Sequence, residues 1–330
     1  MDNIVLTNSG IGTLQTCPWM YNLKYEKNLE QMEKPTYFRV GSAFHEGVEV
    51  VRKGGTIVEA INASAAKFDD IDNKSVVAAM LHEWHDSTKG FYQNYEVLAV
   101  ELPIELPLAQ YGDSEIYFAG VVDSLLKDEQ GRLFIGENKT TSDTMERYCS
   151  RLWAQRQGLL YNWALRRSGH DISGVIYDVI RKPSIKRKLA TPTEKRRYKK
   201  DGETLQAGQR LTDEGQGDYV KRMREWYSGK DDATHQEVIV HTQAQLDAIE
   251  NDVANILKAL VFYKETDNWP RSLSACYAWN RSCEFAPYCG AGNDDVILGT
   301  LYRKRDRVFK KLLNRGESNE SNPFSEESGG

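Results

Sequence analysis

The stretch FAGVVDSLLKDEQGRLFIGENKTT, residues 118–141, decides the fold that we expect for this chain. It contains two segments rich in β-branched and aromatic residues, separated by the turn sequence DEQG, which is typical of a β-hairpin. A two-residue loop would place Asp123 opposite Gly136, and a three-residue loop would place it opposite Glu137. In either register the carboxylates of Asp123 and Glu137 lie within about one cross-strand neighbour of each other.

This hairpin has the chemistry of a metal site. Strand alternation places Glu137 and Lys139 on one face, together with Leu133 and Ile135. Two carboxylates on adjacent apolar strands are costly unless a cation compensates their charge, and Mg²⁺ or Mn²⁺ prefers oxygen ligands. Lys139 would then orient or deprotonate an attacking water, or offset charge on the phosphorane. The alternative is a solvated hairpin face on which Lys139 pairs with one carboxylate.

The segments around the hairpin predict one α/β domain with helices first, then a short sheet, then a helix that crosses back to another strand. Apolar spacing predicts helices at 9–24, 38–53, 57–68, 75–95, 147–167, 218–228 and 242–264. The predicted strands are 97–108, 115–127, 132–140, 173–181 and 236–241. Prolines and glycines predict a loop over 182–216.

Charge is concentrated in two places, although the whole chain is acidic. Its 330 residues carry 43 Lys and Arg against 48 Asp and Glu, a formal net charge of -5. Between 181 and 200, however, lie ten basic residues and one acid. We expect this segment to hold a nucleic-acid strand. The candidate contacts are Arg181, Lys182, Lys186, Arg187, Lys188, Arg196 and Arg197. A second basic segment covers 302–315.

Several protein classes are disfavoured. The N-terminus lacks a secretory pattern, and no apolar run approaches the roughly 20 residues of a membrane span. We therefore expect a cytoplasmic protein without membrane contact, or one in the host cytoplasm if the source is viral. No nucleotide-binding G-x-x-x-x-G-K-[ST] motif occurs, so duplex unwinding would need a helicase or a recombination or repair partner.

Three further residues complete a recognisable set. His45 lies beside an apolar helical stripe with Gly41 one turn earlier, and Gln157 and Tyr161 form an i, i+4 pair. Together with the hairpin, this chain resembles the RecB-like branch of the PD-(D/E)XK nuclease superfamily, with motifs in the order G-x-x-x-H, G-x-x-D, E-x-K and Q-x-x-x-Y. The resemblance implies a restriction-endonuclease-like core with a mixed central sheet flanked by helices. It implies that His45, Asp123, Glu137 and the Asn138 carbonyl bind metal, that Lys139 is catalytic, and that Gln157 and Tyr161 shape the site and contact DNA.

The cysteines extend the resemblance. One early cysteine, Cys17, and a late trio, Cys276, Cys283 and Cys289, resemble the iron–sulfur staple of AddB-type nuclease domains and of CRISPR-associated adaptation exonucleases. Four thiolates are the usual ligands of a [4Fe–4S] cluster, which would join the N- and C-terminal parts. Reduced buried cysteines or a structural zinc are the alternatives. Cys149 falls outside the pattern.

The resemblance implies a Mg²⁺- or Mn²⁺-dependent exonuclease that acts on single-stranded or free-ended DNA and leaves 5′-phosphate ends. A non-catalytic DNA-binding or assembly subunit and a structure- or sequence-specific endonuclease stay open. We expect a single nuclease domain over 1–292, a basic segment over 293–315 and a disordered tail over 316–330. Within the domain the expected parts are a helical part (1–95), a sheet core (96–181), a basic insertion (182–216) and C-terminal helices with the cysteines (217–292).

Overall fold

The computed structural model describes residues 3–32, 37–278, 281–305 and Phe309. The helices are α1 (Asn8–Thr16), α2 (Pro18–Tyr21), α3 (Tyr37–Arg52), α4 (Ile57–Ala65), α5 (Ile71–Tyr92), α6 (Met145–Cys149), α7 (Arg156–Arg167), α8 (Gln216–Ser228), α9 (Gln243–Thr266), α10 (Ala286–Gly290) and α11 (Asp295–Leu301). The strands are β1 (Ile4–Leu6), β2 (Leu29–Gln31), β3 (Tyr95–Tyr111), β4 (Ser114–Asp128), β5 (Leu133–Thr141), β6 (Ile172–Arg181), β7 (Thr234–Ile239), β8 (Tyr277–Ala278), β9 (Arg281–Ser282) and β10 (Tyr302–Lys304). None of the helices in these residues is long and apolar enough to cross a membrane.

Six strands form one mixed sheet. Its order is β1-β4-β5-β6-β7, and β3 pairs along the whole of β4. The β1–β4 and β5–β6 pairs are parallel, while the β3–β4, β4–β5 and β6–β7 pairs are antiparallel. Helix α7 makes the crossover that joins the parallel strands β5 and β6. The α/β class and the mixed sheet predicted from the sequence are therefore confirmed.

Helices cover both faces of this sheet. Helices α1, α7 and α9 bury their apolar stripes in one core with Ile135, Val175 and Val179 of the sheet. Helices α3, α4, α5 and α8 form a second core. Burying both faces explains why β6 is apolar along most of its length.

The hairpin between β4 and β5 has the three-residue loop. Lys127 pairs with Leu133, and Asp128 donates its backbone N–H to the Arg132 carbonyl. Gly131 takes φ +79, the left-handed conformation that this loop requires at its last position. The register continues to Ser124 opposite Gly136, so the next residues along the two strands are Asp123 and Glu137.

Two predicted helices are broken in the structure. The helix predicted over 9–24 is wrong because Pro18 forces the preceding Cys17 into an extended conformation, which separates α1 from α2. The helix predicted over 147–167 is also wrong as one piece. Gln155 is extended, and α7 begins anew at Arg156, whose guanidinium is held by Asn8 and Gln15 of α1. Here contacts between helices override the apolar period.

The short strands were not predicted from the sequence. The predictions for the last residues of the chain are not tested by the structure. Strands of two or three residues, such as β1 and β2, carry too few positions for a period to be recognised. The loop predicted over 182–216 is present over 182–215, with one 3₁₀ turn and one isolated bridge between Tyr198 and Leu205, and α8 begins at Gln216. The 316–330 tail and most of the basic 302–315 segment lie outside the described residues. The domain boundaries remain predictions.

A buried ion pair seats α3 on the sheet. Arg52, whose side chain is 5% exposed, donates to Ser124 Oγ and lies 3.9 Å from the Asp178 carboxylate. Asp178 also accepts from Trp84 Nε1 at 2.5 Å. A Cβ at Gly136 would lie 2.3 Å from Ser124 Oγ and 3.2 Å from Arg52 Nη1, so a glycine keeps this position open for the arginine.

Replacing Arg52 with methionine is expected to destabilise the protein by about 3 kcal/mol, because it leaves Asp178 buried without its counter-ion. The matched control is Lys53→Met, since Lys53 is 53% exposed and pairs with Glu49 at the surface. That variant should stay within about 0.5 kcal/mol of the wild type. Guanidinium denaturation measures both, and equal midpoints for the two variants would contradict the role given to Arg52.

Candidate active site

The site lies where β5 separates from β4. Strand β3 occupies one edge of β4, so β1 and β5 share the other edge, and their pairing leaves 119–123 between them. Beyond Gly136 the backbone N–H of Asn138 bonds not to β4 backbone but to Asp123 Oδ2, at 2.8 Å. The Asn138 side chain donates to the same oxygen at 3.1 Å. The Asp123 carboxylate therefore replaces a strand partner at the point of separation.

Glu137, Lys139 and Gln157 form a closed triangle of hydrogen bonds on the α7 side of the sheet. Lys139 Nζ donates to Glu137 Oε2 at 2.7 Å and to Gln157 Oε1 at 2.9 Å, and Gln157 Nε2 donates to Glu137 Oε1 at 3.2 Å. The Glu137 side chain is 0% exposed and that of Lys139 is 17% exposed. The predicted common face of Glu137 and Lys139 is confirmed, and the solvated alternative does not fit this burial.

His45 reaches the same place from the opposite layer of helices. It projects from α3, and its Nδ1 lies 3.3 Å from Asp123 Oδ2. Its side chain is 33% exposed and borders an open groove lined also by Gly41, Glu49 and Glu101. Side chains from both layers thus meet at the gap between the strands.

The Tyr161 ring packs directly against Gly120 of β4. A Cβ on Gly120 would lie 2.5 Å from Tyr161 Cε1, so any side chain there would displace the tyrosine ring. This contact gives the glycine of the G-x-x-D pattern a physical reason. Tyr161 and Gln157 also line a cleft of about 680 Å³ beside the site, bordered by Lys24, Lys264 and Arg305 together with other residues of the N- and C-terminal parts.

The ionisation of the site favours cation binding. Burial, reinforced by the Asp123 charge and opposed by Lys139, raises the pKa of Glu137 to about 7. Burial also disfavours the Asp123 carboxylate, but the His45 contact, the Lys139 charge and the Asn138 N–H outweigh it and lower the pKa of Asp123. Burial alone would lower the pKa of Lys139, yet the two carboxylates raise it. Lys139 is therefore held as an ammonium ion.

Glu101 is a residue of the site that was not predicted from the sequence. It adopts φ +54 in β3, between the pairs Val100–Ser124 and Leu102–Val122, and so lies beside Asp123. Burial, followed by the nearby carboxylates of Asp123 and Glu49, raises its pKa. A non-glycine residue in this conformation is uncommon and concentrates at functional sites. The surrounding VELPIEL sequence reads as an ordinary strand.

The basic loop begins beside the site. The Lys182 N–H donates to the Thr141 carbonyl at 2.7 Å, two residues beyond Lys139. Two basic side chains of the 181–200 segment already form ion pairs. Arg181 lies 2.9 Å from Asp232, and Arg187 lies 2.7 Å from Asp72. Of the other predicted DNA contacts, Lys182 and Arg196 are half-buried, and Lys186, Lys188 and Arg197 are exposed. DNA binding by this loop remains a prediction.

The four predicted cluster cysteines lie around one small cavity. Cys17, Cys276, Cys283 and Cys289 all line a space of about 220 Å³, although Cys17 is separated from the others by more than 250 residues of sequence. Two backbone N–H groups point at their sulfurs, that of Ser272 at Cys17 and that of Phe285 at Cys283, each at 3.5 Å. Cys149 lies elsewhere, on α6.

Glu137 should titrate near neutral pH in the metal-free protein. Below pH 7 the carboxyl is mostly protonated, so an entering cation must displace that proton, and Mn²⁺ affinity should fall up to about tenfold per pH unit from pH 7 downward. Carbon-detected NMR of the glutamate carboxyls measures the titration directly, with Glu137→Gln assigning the signal. In Lys139→Met the titration should move to still higher pH, because the lysine charge lowers it. A Glu137 signal titrating near pH 4.5 would contradict this account.

Comparison with known proteins identifies the family of the chain. A model of the PD-(D/E)XK nuclease superfamily matches residues 5–290, whereas no curated protein sequence matches. Among solved structures, the "Putative exonuclease" from Eubacterium rectale is 12% identical, covers 94% of this chain and 93% of its own, and gives a TM-score of 0.48. The protein SSO0001 is 11% identical, covers 58% of this chain and 76% of its own, and gives a TM-score of 0.24. The family model covers more than half of the chain, and the chain belongs to the PD-(D/E)XK nuclease superfamily.

Proposed function

We propose that this protein is a metal-dependent deoxyribonuclease that removes nucleotides from single-stranded or free-ended DNA and leaves 5′-phosphate ends. The observation that carries the proposal is the meeting of Asp123, Glu137, His45 and Lys139 at the separation of two strands. Glu137 is buried and lies beside the second carboxylate, that of Asp123, so its negative charge is costly without a cation. A divalent cation that displaces the Glu137 proton near pH 7 would compensate both carboxylates.

The donor set fits Mg²⁺ or Mn²⁺. Asp123, Glu137 and the Asn138 carbonyl would supply oxygen ligands and His45 a nitrogen, a combination that suits Mn²⁺ as well as Mg²⁺. When bound, such an ion polarises the phosphoryl oxygen and lowers the pKa of a water molecule that attacks the phosphorus.

The chain's own groups would hold the charges in place during hydrolysis. Lys139, kept protonated by its two carboxylate neighbours, supplies positive charge where negative charge develops on the phosphate. This favours the electrostatic role of Lys139 over proton abstraction. Gln157 bonds both Lys139 and Glu137, so it orients them together.

The cleft beside Tyr161 supports a single-stranded substrate. Its wall carries Tyr25 and Arg305, whose guanidinium lies 4.6 Å from the Tyr25 ring centroid, while Tyr21 is buried behind Tyr25 and supports it by stacking. Aromatic rings and cations along a groove are the usual means of holding an unpaired strand. Lys264 is paired with Glu26, at 2.5 Å, so a phosphate would exchange with this carboxylate.

Replacing Lys139 with methionine is expected to lower the cleavage rate at least about 100-fold while Mn²⁺ and DNA binding persist, because the lost charge acts on the developing phosphorane. The substrates are end-labelled linear single strands and covalently closed circular single strands, with Mn²⁺ and an EDTA control. Lys127→Met is the matched control, since Lys127 lies on the same hairpin but pairs with Glu96 in a largely exposed contact.

The outcomes separate the competing functions. An exonuclease degrades linear strands and leaves circles intact, whereas cleavage of circles shows an endonuclease. DNA binding without metal-dependent cleavage of any substrate would overturn the proposal in favour of a binding or assembly subunit. The sequence contains no G-x-x-x-x-G-K-[ST] motif, so we infer that unwinding of a duplex would need a helicase or recombination partner.

We also propose that the four cysteines hold a [4Fe–4S] cluster, as in the RecB-like relatives that the sequence resembles. Their arrangement around one cavity supports this, and so do the backbone N–H groups directed at two sulfurs, since such bonds stabilise thiolate ligands. The group would tie the segment around α2 to the C-terminal part, which also pair through β2 and β10.

Anaerobically purified protein is expected to be brown and to contain about four iron atoms per chain. Cys283→Ser should lose most of this iron, whereas Cys149→Ser, the control, should retain it. Iron and sulfide analysis with visible spectroscopy measures both. A colourless wild type that contains zinc in this place would contradict the cluster and support the zinc alternative.

A further inference from the structure

A second group of metal-ligating side chains lies on the α7 face of the sheet. Cys149 at the end of α6 meets His235 and Glu237 of the edge strand β7, and their ligand atoms all lie within 4.8 Å of one another. His235 Nε2 and Glu237 Oε2 are 3.2 Å apart. The two strand residues are two positions apart, so the pleat directs both to the same face.

This group is distinct from the proposed catalytic site. His235 pairs in register with Val179, and Val179 pairs with Lys139, so two strand spacings, about 10 Å, separate β7 from β5. Neither Cys149 nor the two β7 residues belong to the four-cysteine cavity or to the E-x-K hairpin.

We propose that Cys149, His235 and Glu237 bind one zinc ion. Sulfur, imidazole nitrogen and a carboxylate oxygen are the three donor types that zinc prefers, and three protein ligands leave a fourth tetrahedral position for water. The His235 and Glu237 side chains are 41% and 39% exposed, so water reaches that position. On binding, the Cys149 thiol releases its proton to solvent and the thiolate coordinates the ion.

Without metal, the group holds an uncharged thiol beside a carboxylate that is paired with His235. Burial, and then the neighbouring Glu237 carboxylate, raises the pKa of the Cys149 thiol to about 11. Glu237 thus faces a half-buried thiol and His235. A zinc ion bound by the Cys149 thiolate and the Glu237 carboxylate would neutralise both negative charges.

Zinc here would fix a segment that borders the active site. Cys149 follows Tyr148, which interacts electrostatically with Lys139 and Glu137. The segment between α6 and α7 is interrupted by a 3₁₀ turn and the extended Gln155, so α6 is not held by a continuous helix. A zinc bridge to β7 would anchor α6, and with it Tyr148, to the sheet.

The test counts zinc in the full-length protein with its iron–sulfur group retained. After treatment with a mild chelator, the protein is dialysed against micromolar Zn²⁺, and bound metal is measured by mass spectrometry. Wild type should bind one zinc per chain more than Cys149→Ser or His235→Ala, with affinity lowered at least about tenfold in each variant. His85→Ala, a surface histidine on α5, should behave as wild type.

Two further measurements keep the test decisive. Zn²⁺ should raise the Tm of wild type by more than that of Cys149→Ser, and Co²⁺ should give a stronger thiolate charge-transfer band in wild type than in this variant. Equal zinc content in wild type and in the Cys149 and His235 variants overturns the proposal. Zinc content and Tm do not depend on nuclease activity, so failure here is distinct from failure of the proposed function.

Discussion

The constraint on which the active site depends is the hydrogen bond from the Asn138 N–H to the Asp123 carboxylate. Where β5 leaves β4, a strand N–H would otherwise be buried without a partner, which is costly. Asp123 satisfies it and is thereby fixed beside Glu137. One carboxylate thus completes the backbone hydrogen bonding of the sheet and stands at the centre of the site.

The two layers of helices then converge on this gap. Helix α7 supplies Gln157, which holds Glu137 and Lys139 in one hydrogen-bonded triangle. Helix α3 supplies His45 from the other face, and Arg52 at the end of the same helix is tied to Ser124, the neighbour of Asp123. The distance between His45 and Asp123 is therefore set by a buried contact two turns away.

The common face of Glu137 and Lys139 was easier to predict from the sequence than the breaks between helices. Alternation along β5 placed Glu137 and Lys139 together, because a period of two is decided locally. The helix breaks at Cys17 and Gln155 were missed. At Gln155 the contacts between α1 and α7 outweigh the local apolar period. Glu101 had no signal, because the strand-like sequence around it does not indicate a positive φ at this position.

We propose above that Asp123, Glu137 and His45 form a cation site beside Lys139. An anomalous difference map from crystals soaked in Mn²⁺ measures this most directly. We expect a manganese peak bordered by Asp123, Glu137, His45 and the Asn138 carbonyl, and its loss in Glu137→Gln crystals. A map without a peak there, at Mn²⁺ concentrations that support cleavage, would contradict it.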